Sequence, residues 1–212
     1  MPTKPIAAAL ACIALGGCGA ASRDARPEPV AVPVAGDWRQ IATAADRTRL
    51  RGWRDAWMTA LARAQAGGRG ADVAAEGALL QPDVGMVGPL PPAGDYRCRT
   101  IKVGAKSAGM LDYVAYPAFA CRIDAAGSAL SFTKRTGSQR PVGMIYRDTD
   151  ARGVFLGTLA LGDEAGAMRY GQDATRDMAG VVERIGPRRW RIAFPYPAFE
   201  STLDVIELVP AS

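Results

Sequence analysis

The spacing of apolar residues changes once along the chain, and that change divides the folded part in two. From Thr43 to Gly68 they recur at Leu50, Trp53, Trp57, Leu61 and Ala64, the three-and-four spacing of one buried helix face. Thr43 suits the amino-terminal cap, and Gly67-Gly68 suits the carboxyl end. Arg47, Arg51 and Arg54 fall on another face, which reads as solvated. A shorter helix is expected over residues 71–80, stopped by Pro82, and "GMVGPLPPAGD" then reads as a loop.

From Tyr96 onward the period is two. Tyr96, Cys98 and Thr100 alternate with Arg97, Arg99 and Ile101; Phe119, Cys121 and Ile123 alternate with Ala120, Arg122 and Asp124. Trp190, Ile192 and Phe194 alternate with Arg189, Arg191 and Ala193. Such alternation predicts strands with one dry and one wet face. Further strands are expected over 129–134, 142–147, 154–161, 179–185 and 203–209, punctuated by Gly127, Gly137, Asp148–Asp150, 163–166 and Gly186-Pro187. Eight short strands joined mostly by turns leave no room for crossover helices, so the expectation is an antiparallel meander. Closure removes exposed edges. The fold class is therefore α+β, mainly β. A helical segment (37–92) precedes a small lipocalin-like barrel (93–212), with a two-sheet sandwich as the alternative.

The first residues have a separate logic. An uninterrupted apolar run, Ile6 to Leu15, follows Lys4. Ten residues are too few to cross a membrane as a helix, which takes about twenty. Their length and flanks are those of a secretory signal. The run ends in Leu15-Gly16-Gly17-Cys18, which resembles the lipobox of bacterial lipoproteins. The resemblance implies a signal peptide over 1–17, cleavage before Cys18 and lipidation of that cysteine. The alternative is an ordinary cleaved signal that contains a cysteine. Gly19 in place of Asp resembles outer-membrane sorting in Gram-negative bacteria, which implies the periplasmic side of that membrane. Residues 18–36, rich in Pro, Ala and Val, read as a semi-rigid tether of about 3.1 Å per residue. Residues 37–212 are left for a single folded domain.

Charge and cysteine use fit export. With 26 Lys and Arg against 21 Asp and Glu, the chain carries +5 and a pI near 9.2. In the cytosol this would suggest nucleic acid. Here the arginines are dispersed and an exported chain meets anionic headgroups, so no nucleic-acid partner is expected; the partner is the membrane, through the lipid anchor. Cys12 leaves with the signal and Cys18 is modified, so Cys98 and Cys121 remain. Both fall on dry strand faces, and an oxidising compartment permits a disulfide between them, worth about 3 kcal/mol. Two buried free thiols are the alternative.

Most catalytic chemistry is excluded by what is missing. The chain contains no histidine, which removes Ser-His-Asp, Cys-His and His-zinc sites. No phosphate-cradling glycine motif, C-x-x-C pair or calcium loop occurs, so no cofactor or metal is expected. "GDEAG" at 162–166 reads as a hairpin turn. A Ser138–Lys134 dyad would need a deeply buried lysine, and the surrounding Arg and Gly argue for exposure. Asp163, Glu164, Glu183, Glu200 and Asp204 are the acids available to a carboxylate hydrolase, which would need two of them about 5–9.5 Å apart. Glu183 shares a strand face with Val181 and Ile185, which aims it into the core. There it is expected to pair with Arg140 or a strand arginine across the barrel, or to anchor a ligand.

The segments "DWR" (37–39), "RGWRDAW" (51–57), "EGALLQP" (76–82), "YRCRTIKVG" (96–104) and "YPAFACR" (116–122) together resemble an uncharacterised bacterial family of exported proteins, domain of unknown function 4893. "TGSQRPVG" (136–143), "FLGTLALGDE" (155–164), "RDMAGVVERIG" (176–186) and "ESTLDVIEL" (200–208) extend the similarity to the end. The resemblance implies one exported domain and assigns no activity and no functional residues. The functional expectation is a non-enzymatic, lipid-anchored envelope protein that binds a small apolar ligand or an envelope protein. Tyr96, Trp190, Arg140 and Glu183 are its candidate positions, with Phe119 and Phe194 also turned inward. A structural or assembly role, with Trp53 and Trp57 docking on a partner, is the alternative; a carboxylate hydrolase is a weaker one.

Overall fold

The computed structural model describes Met1, residues 37–162 and residues 164–212. The signal peptide, Cys18, the tether and Asp163 lie outside the described residues. Eight antiparallel strands follow one another around a closed barrel. They are β1 (Gly94–Ala105), β2 (Tyr113–Ala126), β3 (Ala129–Lys134), β4 (Gln139–Arg147), β5 (Gly153–Leu161), β6 (Asp177–Gly186), β7 (Arg189–Pro195) and β8 (Ser201–Pro210). β8 pairs with β1 from Tyr96↔Pro210 to Ala105↔Ser201, which closes the sheet and leaves no edge. The barrel, rather than the sandwich, is the architecture.

The two longest strands, β1 and β2, extend well past the regular alternation. Their ladder shifts register between Arg99 and Ile101, and Pro117, which has no N–H to donate, falls in that irregular stretch. The extra residue lies on β2 and breaks its period of two, so that Tyr113 packs under the helices while Cys121 faces the lumen; β1 keeps one inward series through Thr100 and Lys102.

Helices cover one outer flank of the barrel. α1 (Trp38–Ile41) and α2 (Ala44–Arg51) precede α3 (Trp53–Ala66), α4 (Gly70–Ala75) and a 3-10 turn, Gly77–Leu80. Thr43 caps α2 as expected, its side chain accepting from the Asp46 N–H. The single long helix expected here is instead two, broken at Gly52. A Cβ at that position would stand 3.3 Å from the Tyr196 ring, so the chain bends where that ring packs. The shorter helix is likewise divided at Gly77 (φ 56°). Trp57, Ala60, Ala64, Leu79 and Leu80 pack on the outward residues of β1, β7 and β8: Ile101, Val103, Ala193, Leu203 and Val205. Trp57 is fully buried within its own chain and Trp53 is half-buried, so Trp57 offers nothing to a docking partner.

The lumen holds a second core. Tyr96, Cys98, Cys121, Ile123, Phe132, Ile145, Phe155, Trp190, Ile192, Phe194, Ile206 and Leu208 all face inward, and Thr100 and Phe119 on the same faces of β1 and β2 line the lumen nearer the rim, whereas Val181 and Ile185 of β6 face outward. Cys98 and Cys121 form a disulfide between β1 and β2, 23 residues apart. Replacing both by Ala is expected to destabilise the protein by about 3 kcal/mol, mainly through the freed unfolded chain. In thermal unfolding this corresponds to a Tm lower by roughly 6–12 °C for a domain of this size.

Candidate functional site

The lumen is packed at one end and hollow at the other. At the packed end Leu90, from the segment before β1, packs against the buried cluster that contains Tyr96, Trp190 and the disulfide, and its side chain lies against Gly153. The Tyr96 and Trp190 rings meet edge-on at 6.4 Å, and the Tyr96 hydroxyl donates to the Pro92 carbonyl at 2.6 Å. A layer of phenylalanines follows: Phe132 and Phe194 each meet Phe155 edge-on, at 5.8 and 5.4 Å. Gly143 and Gly157 make room for it. They stand opposite each other on β4 and β5, and a Cβ on either would come within 2.8 Å of the Phe155 ring.

Beyond this layer lies a cavity of about 200 Å³, open at the barrel mouth. Its apolar wall includes Phe119, Pro141, Leu159, Met178, Phe194 and Ile206. Its polar residues include Thr100, Lys102, Lys134, Gln139 and Asp204, with Glu200, Asp177 and Arg176 near the rim. Two lysines thus come from strand positions that continue the inward series of β1 and β3.

The lysines are neutralised differently. Lys102 donates to Asp204 at 3.2 Å and pairs with Glu200 at 2.9 Å. Burial works against its charge, but the two carboxylates outweigh it and hold its pKa above the ordinary value. Burial pushes Asp204 up, although Lys102 and the Ser201 hydroxyl, which donates to it, act in the other direction. Among the described residues Lys134 has no carboxylate partner. Its ammonium donates to the carbonyls of Thr136 and Gln139, both at 2.9 Å, and sits 3.7 Å from the Phe119 ring centroid. Gly137 (φ 90°) crosses directly over it, where a Cβ would stand 2.7 Å from Nζ. Burial lowers the Lys134 pKa to about 8, and the charges of Arg140 and Lys102 push the same way.

The candidate positions named from sequence lie elsewhere. Tyr96 and Trp190 fill the packed end. Arg140 reaches outward over the mouth and donates to the carbonyls of Gly137, Gly162 and Glu164. Glu183 is buried, but on the outer barrel face beneath the helices, because Val182 and not Glu183 takes the lumen side of β6. Its partner is not Arg140 but Arg191, on the neighbouring strand at 2.6 Å, with Arg152 at 3.3 Å. Arg191 is wholly buried and also donates to the carbonyls of Ala78, Leu79 and Gln81 at 2.6–3.1 Å. A strand arginine was one of the two expected partners; the lumen location was not correct.

The other acids are engaged too. Glu164 pairs with Arg176, and Glu200 and Asp204 converge on the same ammonium rather than on a cleft of their own. Ser138 is exposed, and among the described residues no hydrogen bond joins it to Lys134. Among the described residues no cluster of three acid or sulfur ligands could hold a metal ion.

A family model described as a domain of unknown function, DUF4893, matches residues 38–208. The chain belongs to the DUF4893 family. The match takes in the helical flank and the barrel up to two residues before the end of β8, so the DUF4893 segment includes every residue around the cavity. No curated protein and no solved structure gives a match.

Two outcomes follow from these charges. Glu183→Gln leaves Arg191 buried with its principal counter-charge gone and is expected to cost about 3–5 kcal/mol in denaturant unfolding. Replacing Glu183 and Arg191 together by Leu and Met should cost less than the single change. For Lys134, the folded state binds the proton more weakly than the unfolded chain. Stability should therefore rise with pH between about 8 and 10.5, the ordinary lysine value, and Lys134→Met should remove that rise.

Proposed function

We propose that this protein is a lipid-anchored component of the cell envelope whose barrel holds a small ligand in the open half of its lumen. The cavity beyond the phenylalanine layer is the observation that carries the reading. Eight-stranded barrels are just wide enough either to fill with side chains or to hold one small molecule. This one fills only on one side of Phe155, although apolar residues as large as Trp190 are used below it. The wall of the hollow half combines apolar side chains with polar and charged ones, which offers partners to both the body and the polar end of a small molecule. At about 30 Å³ per water, 200 Å³ accommodates the equivalent of about seven waters.

The anchoring part of the reading rests on the apolar run ending at Cys18, on Gly19 after it, and on the disulfide-forming cysteine pair. It places the barrel on the periplasmic side of the outer membrane. A binding role needs none of the catalytic groups the chain lacks. The ligand reading is preferred to protein docking because a concave, partly apolar cavity is present, whereas Trp57 faces its own barrel. It is preferred to hydrolysis because Glu200 and Asp204 share one ammonium.

The test is native mass spectrometry of the full chain extracted from its own envelope, beside Leu159→Trp, which fills the cavity. The wild type should carry a lipid mass on Cys18 and a second, noncovalent mass that the variant lacks. An unmodified Cys18 overturns the anchor, and identical noncovalent composition in both proteins overturns the ligand reading.

A further inference from the structure

We propose that the lumen ligand is a small organic monoanion, a carboxylate whose head pairs with Lys134 and whose apolar body of about five carbons lies between Leu159, Met178, Phe194 and Ile206. The proposal deepens the reading above and rests on it. Lys134 is buried, projects into the cavity, and among the described residues has only two backbone carbonyls and the face of Phe119 for company. An ammonium removed from water without a counter-charge is costly, and buried cations are ordinarily paired. Every other strongly charged group described around it is already committed.

From β1, Lys102 faces Lys134, held by Asp204 and Glu200. From β4, Arg140 is bound to loop carbonyls. Before and at the start of β6, Arg176 clamps Glu164, and Asp177 accepts the Gly171 N–H at 2.8 Å. The charges that act appreciably on Lys134 are those of Arg140 and Lys102, both positive. Lys134 is thus the ammonium of the cavity that no described carboxylate accompanies, and an anion seated there would meet its charge. The single negative charge follows from the single free ammonium. A dianion such as a phosphate monoester would leave one charge unmatched among phenylalanine, leucine and isoleucine side chains. A carboxylate can also accept from Thr100 and Gln139, whose side chains share the cavity.

The size of the cavity sets the body. About seven or eight heavy atoms at roughly 27–30 Å³ each fill 200 Å³, which is a six-carbon carboxylate. A longer chain would emerge between Tyr116 and Phe199, both at the rim and both exposed.

Three probes of equal length separate the possibilities: hexanoate, 1-hexanol and hexylammonium. Each is titrated calorimetrically into the full chain in lipid nanodiscs, with empty nanodiscs subtracted. Hexanoate should bind at least about tenfold more tightly than either other probe, the worth of one charge-assisted hydrogen bond. Lys134→Met should remove that preference, and Lys134→Arg, which keeps the charge, should retain it. Hexanoate affinity should fall as pH rises through about 8, where free Lys134 loses its proton. Equal binding of hexanoate and hexanol, or a Lys134→Met protein that binds hexanoate undiminished, overturns the anion while leaving a lumen that binds apolar molecules. Failure of all three probes to bind overturns the carboxylate proposal, and the mass comparison with Leu159→Trp then decides the broader reading separately.

Discussion

The width of an eight-stranded lumen is the constraint from which the remaining features follow. Such a barrel is wide enough to require filling and narrow enough that one layer of large rings can seal it. Phe155 makes that layer with Phe132 and Phe194, and it does so because β4 and β5 present glycine to glycine at Gly143 and Gly157. Side chains at those two positions would displace the ring. Below the layer, the disulfide, Tyr96 and Trp190 complete a dry core. Above it, lysines, an aspartate and a glutamine replace hydrocarbon, and the packing stops.

The helical flank stiffens the barrel from outside without entering it. Its join to the sheet is electrostatic as well as apolar. Arg191 reaches outward from β7, lies over the Trp57 ring at 4.7 Å, collects three carbonyls at the end of the 3-10 turn and pairs with Glu183. One guanidinium thereby satisfies backbone groups that the turn leaves orphaned and cancels the charge of a buried carboxylate. Because this network occupies the outer surface, the lumen is left to the chemistry at its mouth.

Much of this is legible in the sequence. Period-two alternation around Cys98, Cys121 and Ile192 identifies the inward face, and turn residues between short strands identify a meander. The bulge opposite Thr100 conceals the first half of β2, because an extra residue on that strand reverses which side chains point inward before Ala118. On β1 the inward series runs on through Thr100 to Lys102, but there the outward residues Ile101 and Val103 are apolar too, so the alternation no longer shows. Lys134 belongs to a basic, glycine-containing stretch, and such a composition reads as surface. The alternation Leu130, Phe132, Lys134 along β3 is what turns it inward. Glu183 shows the reverse fault: sharing a face with Val181 and Ile185 established burial but not which side of the sheet was buried. In a barrel with a helical cover both sides are, and only the partner, Arg191, distinguishes them.

The account depends on the phenylalanine layer dividing a packed half of the lumen from an open one. Diffraction from crystals of the protein under xenon pressure tests this most directly, since xenon enters apolar voids and leaves packed cores empty. Xenon should occupy the space between Phe194, Leu159, Met178 and Ile206, and none should appear between the disulfide and Trp190. Xenon on the disulfide side, or side chains filling the space beyond Phe155, would contradict it.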